Sequence, residues 1–193
     1  MHNELTSFLQ NKFPNAKIEL QKKEVGDEFI ILGESKNIVE VCETLKNSPD
    51  YLFNVLQVIS GVDYPTENMI EVNYILASFS KNLELILKVR LPRENPTIQT
   101  VSSVWKSADF QERECYDMLG VIFEGHPDFR RILCPDDWEG YPLRKDYVPA
   151  KMYKHMEIYP EDKMNLADQE FVKKQKAENA VNAAANRTPG EGA

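Results

Sequence analysis

The chain has 193 residues, 42% of them hydrophobic and 28% charged, enough to bury the core of one domain with extensions. A net charge of −8 argues against nucleic acid as a partner, because phosphate-backbone binding needs a basic face. The longest apolar stretches, such as Tyr51 to Ile59, fall far short of the roughly 20 residues needed to cross a bilayer, so membrane contact is expected only through partners.

The opening Met1-His2-Asn3-Glu4 lacks the basic-then-apolar pattern of a secretory signal, and a cytoplasmic location is expected. Glu4 to Lys12 reads as a short helix with Leu5, Phe8 and Leu9 on one face, stopped by Pro14. Ile18-Glu19-Leu20 and Phe29 to Leu32 read as a strand pair. Ser35 is placed as the N-cap of a helix carrying Ile38, Val39, Cys42 and Leu45 and ending near Pro49. Leu52 to Val62, rich in aliphatic residues, predicts a buried strand. Two alternating runs, Ile70 to Leu76 and Leu83 to Leu91, flank the polar turn Ser80-Lys81-Asn82 and predict a hairpin. One of its faces would enter a core, and the other would show Glu84, Lys88 and Arg90. These elements define an α+β class, a mixed or antiparallel sheet covered by helices, over residues 1–125. From Gly125 onward Pro127, Pro135, Pro142, Pro149 and Pro160 break regular structure, which predicts an extended Pro-rich strap over 126–170 that docks on a partner. Residues 171–193 are polar and low in complexity, and a disordered end is expected there.

The three cysteines, Cys42, Cys115 and Cys134, are far apart and odd in number, so they draw neither a disulfide framework nor a metal knuckle and cannot alone hold an iron–sulfur cluster. They are expected to be packing residues. No G-x-G-x-x-G stretch for a dinucleotide occurs.

Residues 106–146 hold 6 cations and 10 anions, a denser charge than the chain average, interleaved with aromatics such as Tyr116, Phe129, Trp138 and Tyr141. That mixture suits a surface that meets another protein. Asp109-Phe110-Gln111-Glu112 has capping-box spacing and Gly120 stands where a C-cap glycine belongs, predicting a helix over 110–119. The helix carries Glu112, Glu114 and Asp117 against the single cation Arg113, so its acids need outside partners. Arg130-Arg131 and Arg144-Lys145 are the nearest cations, and a network pinning the strap across the helix is expected.

The run from Glu112 through Arg113, Glu114, Asp117 and Gly120, with His126, Arg130 and Arg131 in Gly125-His126-Pro127-Asp128-Phe129-Arg130-Arg131, resembles the signature of the C-type subunit family of NADH:quinone oxidoreductase, respiratory complex I. The block with Asp136, Trp138, Arg144 and Asp146 is similar to that family's next stretch, as are Ser60 to Pro65 and Ser103-Val104-Trp105. The resemblance covers about residues 50–150; Tyr141, where many members have His, and Cys115, where an aliphatic residue is common, depart from it. It implies a non-redox structural subunit of the peripheral arm on the cytoplasmic side of the cell membrane. Its partners would be other complex I subunits of that arm, chiefly the D-type and also the B-type, which together receive the quinone. FMN and iron–sulfur clusters would lie in partner chains, with no cofactor or metal in this one. Other readings stay open: an equivalent subunit of a related membrane-bound hydrogenase or other-donor dehydrogenase, a stand-alone binding module, or a hydrolase using Glu112 and Glu114 or a metal on His126, Asp136 and Asp137. The hydrolase is disfavoured because residues two apart on a helix point away from each other.

Overall fold

A computed structural model describes residues 2–22, 28–33, 35–157 and 174. The part of the expected strap beyond 157 and, Lys174 apart, the expected tail lie outside the described residues. The chain divides into one unit over Met1–Val148 and a second over Pro149–Ala193, in which β8 (Met152–Tyr153) and β9 (Met156–Glu157) form a small antiparallel hairpin.

The first unit is α+β. Five strands, β1 (Ile18–Lys22), β2 (Glu28–Leu32), β3 (Val55–Tyr64), β4 (Met69–Ser78) and β5 (Leu83–Pro92), form a mixed sheet in the order β1-β2-β5-β4-β3. All neighbours are antiparallel except β2 and β5, which run parallel with Phe29 opposite Ile86. The predicted hairpin is β4–β5. Its two-residue alternation sends Ile70, Val72, Tyr74 and Leu76 with Leu85, Leu87, Val89 and Leu91 into the core. Three helices, α1 (His2–Lys12), α2 (Ile38–Asn47) and α3 (Ala108–Leu119), add Leu5, Leu9, Val41, Leu45, Ala108 and Leu119 to that core.

The opposite face is charged. There Glu71, only 2% exposed, accepts from Lys88 Nζ at 2.8 Å and Arg90 Nε at 3.2 Å.

Three expectations change. Ser35 opens a 3-10 turn, Ser35–Asn37, and α2 begins at Ile38 without a side-chain cap bond. The predicted buried strand is the edge strand β3, with Val58 and Val62 exposed. An aliphatic run reads the same whether one face or both are covered, and only the strand order separates the two cases. The edge is protected by α3. Gln111 Oε1 accepts the Ile59 N–H at 2.7 Å, Gln111 Nε2 donates to Gln57 O at 3.2 Å, and Ser107 Oγ donates to Leu56 O at 3.3 Å. Finally, the capping box is not made. Ser107 is the cap residue, the Asp109 N–H donates to Lys106 O, and the Glu112 carboxylate turns inward.

A short parallel pair, β6 (Thr97–Gln99) and β7 (Ile122–Glu124), brackets α3 in sequence. It brings the loop after β6 and the turn after β7 together beside the helix's first turns.

Candidate functional site

The helix α3 is where the sequence-marked residues converge. Phe110, Arg113, Asp117 and Gly120 fall at helical spacing and make one stripe, and the chain from 126 to 148 returns along it.

At the first turns, Arg113 is 6% exposed. Its Nε and Nη2 donate to the carbonyls of Arg130 and Arg131 at 3.2 and 3.4 Å, and its Nη1 lies 3.3 Å from Asp128. One turn on, Asp117 is wholly buried. Its Oδ2 accepts three consecutive backbone N–H groups, Ile132 at 3.1 Å, Leu133 at 2.6 Å and Cys134 at 2.7 Å, while Oδ1 takes Arg131 Nη1 at 2.7 Å. Burial alone would raise this carboxyl, but the Cys134 N–H, the Arg131 guanidinium and the other two N–H groups outweigh it and hold Asp117 below the ordinary aspartate value. A segment without strands or helices thus has its backbone donors satisfied by one side chain.

At the C-terminus of α3, Gly120 has φ +78°, the left-handed conformation of a helix stop. A Cβ there would lie 2.5 Å from the Tyr141 ring, whose centroid has the guanidinium groups of Arg131 and Arg144 at 5.5 and 4.8 Å. Arg144 Nε donates to Leu119 O at 2.7 Å, and the Leu143 N–H donates to Met118 O at 3.0 Å, so the strap caps the helix's last carbonyls. Gly120→Ala should therefore cost about 1–2 kcal/mol, from the left-handed backbone plus displacement of Tyr141, seen as a lowered denaturation midpoint.

A last clamp joins the expected Asp146 to two residues, Asp63 and Arg93, that sequence reasoning did not single out as site residues. Arg93 grips Asp63 at 2.7 and 3.0 Å and reaches Asp146 at 2.6 Å, while Asp63 Oδ2 also accepts the Lys145 N–H at 2.8 Å. The Arg93 contact, opposed by burial, keeps Asp63 below its ordinary range. Asp63 lies in the Ser60 to Pro65 stretch that shares in the family resemblance, but nothing in sequence spacing ties it to Arg93.

The expected network is present only in part. Arg130 is 68% exposed and chelates the neighbouring Asp128, not the helix. Glu114 and Asp136 are exposed, and Trp138 is half-buried with its backbone N–H on Pro135 O. Arg131→Ala should lose about 2 kcal/mol in denaturant titrations while Arg130→Ala stays within about 0.5 kcal/mol, because only the former leaves a buried carboxylate short of a cation.

Glu112 faces the other way, wholly buried. Oε1 accepts the Val101 N–H at 2.8 Å and Oε2 meets Thr100 Oγ1 at 2.5 Å. The His126 side chain is also fully buried: Nδ1 accepts the Asp128 N–H at 3.1 Å, which leaves the proton on Nε2, directed at Asp109 O at 3.1 Å and 3.9 Å from Glu112 Oε2. Glu112 is buried while Glu114 stands in solvent, so they cannot flank one bond. Among the described residues no three His, Cys, Asp or Glu side chains form a group that could hold a metal ion. Burial pushes the thiols of Cys42 and Cys115 up, the latter to about 12, so both stay protonated.

The first unit is thus an α+β domain with a returning irregular strap bound along its helix α3. The model of the family described as respiratory-chain NADH dehydrogenase, 30 Kd subunit, matches residues 31–153, and the chain belongs to this family, the C-type subunits of complex I, each a part of an oxidoreductase complex. The chain is 37% identical to the C-type subunit of the NADH-quinone oxidoreductase of Chlorobium phaeobacteroides over 78% of its own length and 90% of that protein's. It is 45% identical to the corresponding subunit of a Roseiflexus species over 66% and 74% of the two chains. A chain in the solved structure of the membrane-bound sulfane sulfur reductase, an archaeal respiratory membrane complex, superposes with a TM-score of 0.64 at 26% identity, covering 85% of this chain and 98% of that one. Among the described residues no helix is long and apolar enough to cross a membrane.

Proposed function

We propose that the chain is a non-redox structural subunit of the peripheral arm of a proton-translocating NADH:quinone oxidoreductase. It braces the two quinone-reducing partners, the D-type and B-type subunits, on the cytoplasmic side of the membrane, which it meets through them. Electrons would pass from NADH through FMN and iron–sulfur clusters held by partner chains. The observation that carries this reading is the strap over 126–148. Its backbone is bound inward by Arg113, Asp117 and Asp63, yet Leu133 and Leu143 stand 63% and 58% exposed, and Phe110 on α3 is 63% exposed. Apolar side chains held outward on a fixed backbone suit a protein partner, since little ordering cost remains to oppose binding. Fixing partner positions also matters for transfer chemistry, where displacements near 1 Å have large effects.

A mild-detergent pull-down of the tagged chain from its native membranes tests this. Recovery of iron–sulfur and quinone-site subunits with NADH:quinone activity is expected. Leu133→Glu should abolish that recovery while leaving the purified chain's denaturation midpoint unchanged; recovery of the unmodified chain alone, still folded, would sink the proposal. The likeness to the sulfane sulfur reductase chain favours one second reading, the equivalent subunit of a related complex with another electron donor. The activity that copurifies separates the two.

A further inference from the structure

Two carboxylates on α3, Glu112 and Asp117, are both wholly buried, and the protein treats them oppositely. Asp117 has an arginine and three backbone N–H groups. Glu112 has one backbone N–H and one hydroxyl, and among the described residues no lysine or arginine is bonded to it. The titratable groups near it come from every side: Asp109 and Cys115 on its own helix, His126 from the turn after β7, Tyr74 from β4 and Cys42 from α2. None of these supplies a compensating cation: the His126 Nε2 hydrogen is directed at Asp109 O, and the buried Tyr74 hydroxyl has no hydrogen-bond partner among the described residues.

Hydrogen counting adds a second constraint. Thr100 Oγ1 lies 2.5 Å from Glu112 Oε2 and 2.9 Å from Ser102 Oγ, and it accepts the Ser102 N–H at 3.1 Å. A hydroxyl has one hydrogen, so Thr100 cannot donate to both oxygens at once. With a neutral Glu112, its O–H donates to Thr100 and Thr100 donates to Ser102. With an ionised Glu112, Ser102 donates to Thr100 and Thr100 donates to the carboxylate. The Glu112 carboxyl and the Thr100 hydroxyl are satisfied in both arrangements, the Ser102 hydroxyl hydrogen turning to the cleft in the neutral one, and the two differ by one proton. Ser102 and Thr100 line a surface cleft with Ser103, Lys106 and Pro127, where the chain of hydroxyls meets water.

We infer that Glu112 is a proton-binding site of the subunit, loaded from the cleft through Ser102 and Thr100. On loading, a hydronium ion in the cleft gives its proton to Ser102 Oγ and becomes water, the Ser102 hydroxyl proton passes to Thr100, and the Thr100 proton passes to Glu112 Oε2. Unloading is the reverse, with no other bond changed. Burial, only partly offset by the Thr100 and Val101 bonds, raises this carboxyl to about 7, within the range where a cell's pH can empty or fill it.

The test is a carboxyl-carbon NMR titration of the full chain, labelled at glutamate, between about pH 5 and pH 9. The Glu112 resonance is the one missing from Glu112→Gln, in which the amide reproduces the neutral acid's bonds. A single midpoint near 7 is expected. A carboxyl that stays ionised throughout overturns the proposal. Thr100→Val removes the hydroxyl that donates to the charged form, so the midpoint should move up and exchange between the two forms should slow. An unchanged midpoint and exchange rate in that variant would eliminate the hydroxyl route.

Discussion

Replacing Asp117 with alanine should destabilise the protein by about 4 kcal/mol and release residues 131–134. The carboxylate accepts the N–H groups of three successive residues and pairs with Arg131, which is 12% exposed, so the substitution removes four partners together. The orphaned donors sit in a segment with no strand ladder to take them, and each costs free energy unless water reaches it. Amide hydrogen exchange separates this outcome from a general loss of stability. The amides of Ile132, Leu133 and Cys134 should exchange far faster in the variant under native conditions, while those of β4 and β5 keep their protection. Asp117→Asn keeps the size but loses the charge and half the acceptor capacity, so an intermediate loss is expected. The same anchor has a pH signature. Because Asp117 is held below its ordinary value in the folded protein, its contribution is present above about pH 4, the unfolded aspartate value, and is lost as pH falls through the lower folded one. Acid should loosen the strap first. If, as pH falls, the three amides lose protection no earlier than those of β4 and β5, Asp117 is not the anchor.

The second large effect has the opposite sign. Glu112 has its folded pKa raised from 4.5 to about 7. Below about pH 4.5 both folded and unfolded chains hold the proton, and the residue contributes no pH dependence. Between about 4.5 and 7 only the unfolded chain gives it up, so stability falls as pH rises, and above 7 the full penalty stands. At 1.36 kcal/mol per pKa unit that penalty is about 3 kcal/mol. Glu112→Gln, neutral at every pH, should match the unmodified protein near pH 4.5 and exceed it by about 3 kcal/mol at pH 8. Denaturant unfolding across that range reads the gap directly. A Gln variant less stable than the unmodified chain at pH 8 would mean that the charged form is held by donors stronger than Thr100 and Val101. A surface glutamate such as Glu114 gives the control, with a change within about 0.5 kcal/mol at either pH.

Much of the fold was legible because its signals are local. The β4–β5 hairpin announces itself through two-residue alternation around a polar turn, and α3 ends at Gly120 because only a residue tolerant of positive φ can stop it there. The site was legible as a region and not as a set of bonds. An excess of acids on one helix next to an arginine pair pointed to the strap, but the count could not say which arginine turns inward. Arg131 does and Arg130 does not: the path of the strap over α3 brings Arg131 to Asp117 and leaves Arg130 on Asp128, two residues back.

Composition, periodicity and turn residues by themselves determined the α+β class, the hairpin, the C-terminal end of α3 and the irregular, wrapping character of the chain over 126–148. All depend on interactions within a few residues. Only the tertiary structure decided that β3 lies at the sheet edge under the side chains of α3, that Asp63 meets Arg93 across 30 positions, and that Glu112 and Asp117 lead different lives. Those two acids sit five residues apart, about 140° around the helix, so one looks beneath the Thr100–Ser102 loop and the other at the returning strap. A carboxylate's charge follows from the donors and the water around it, and those arrive from distant parts of the chain.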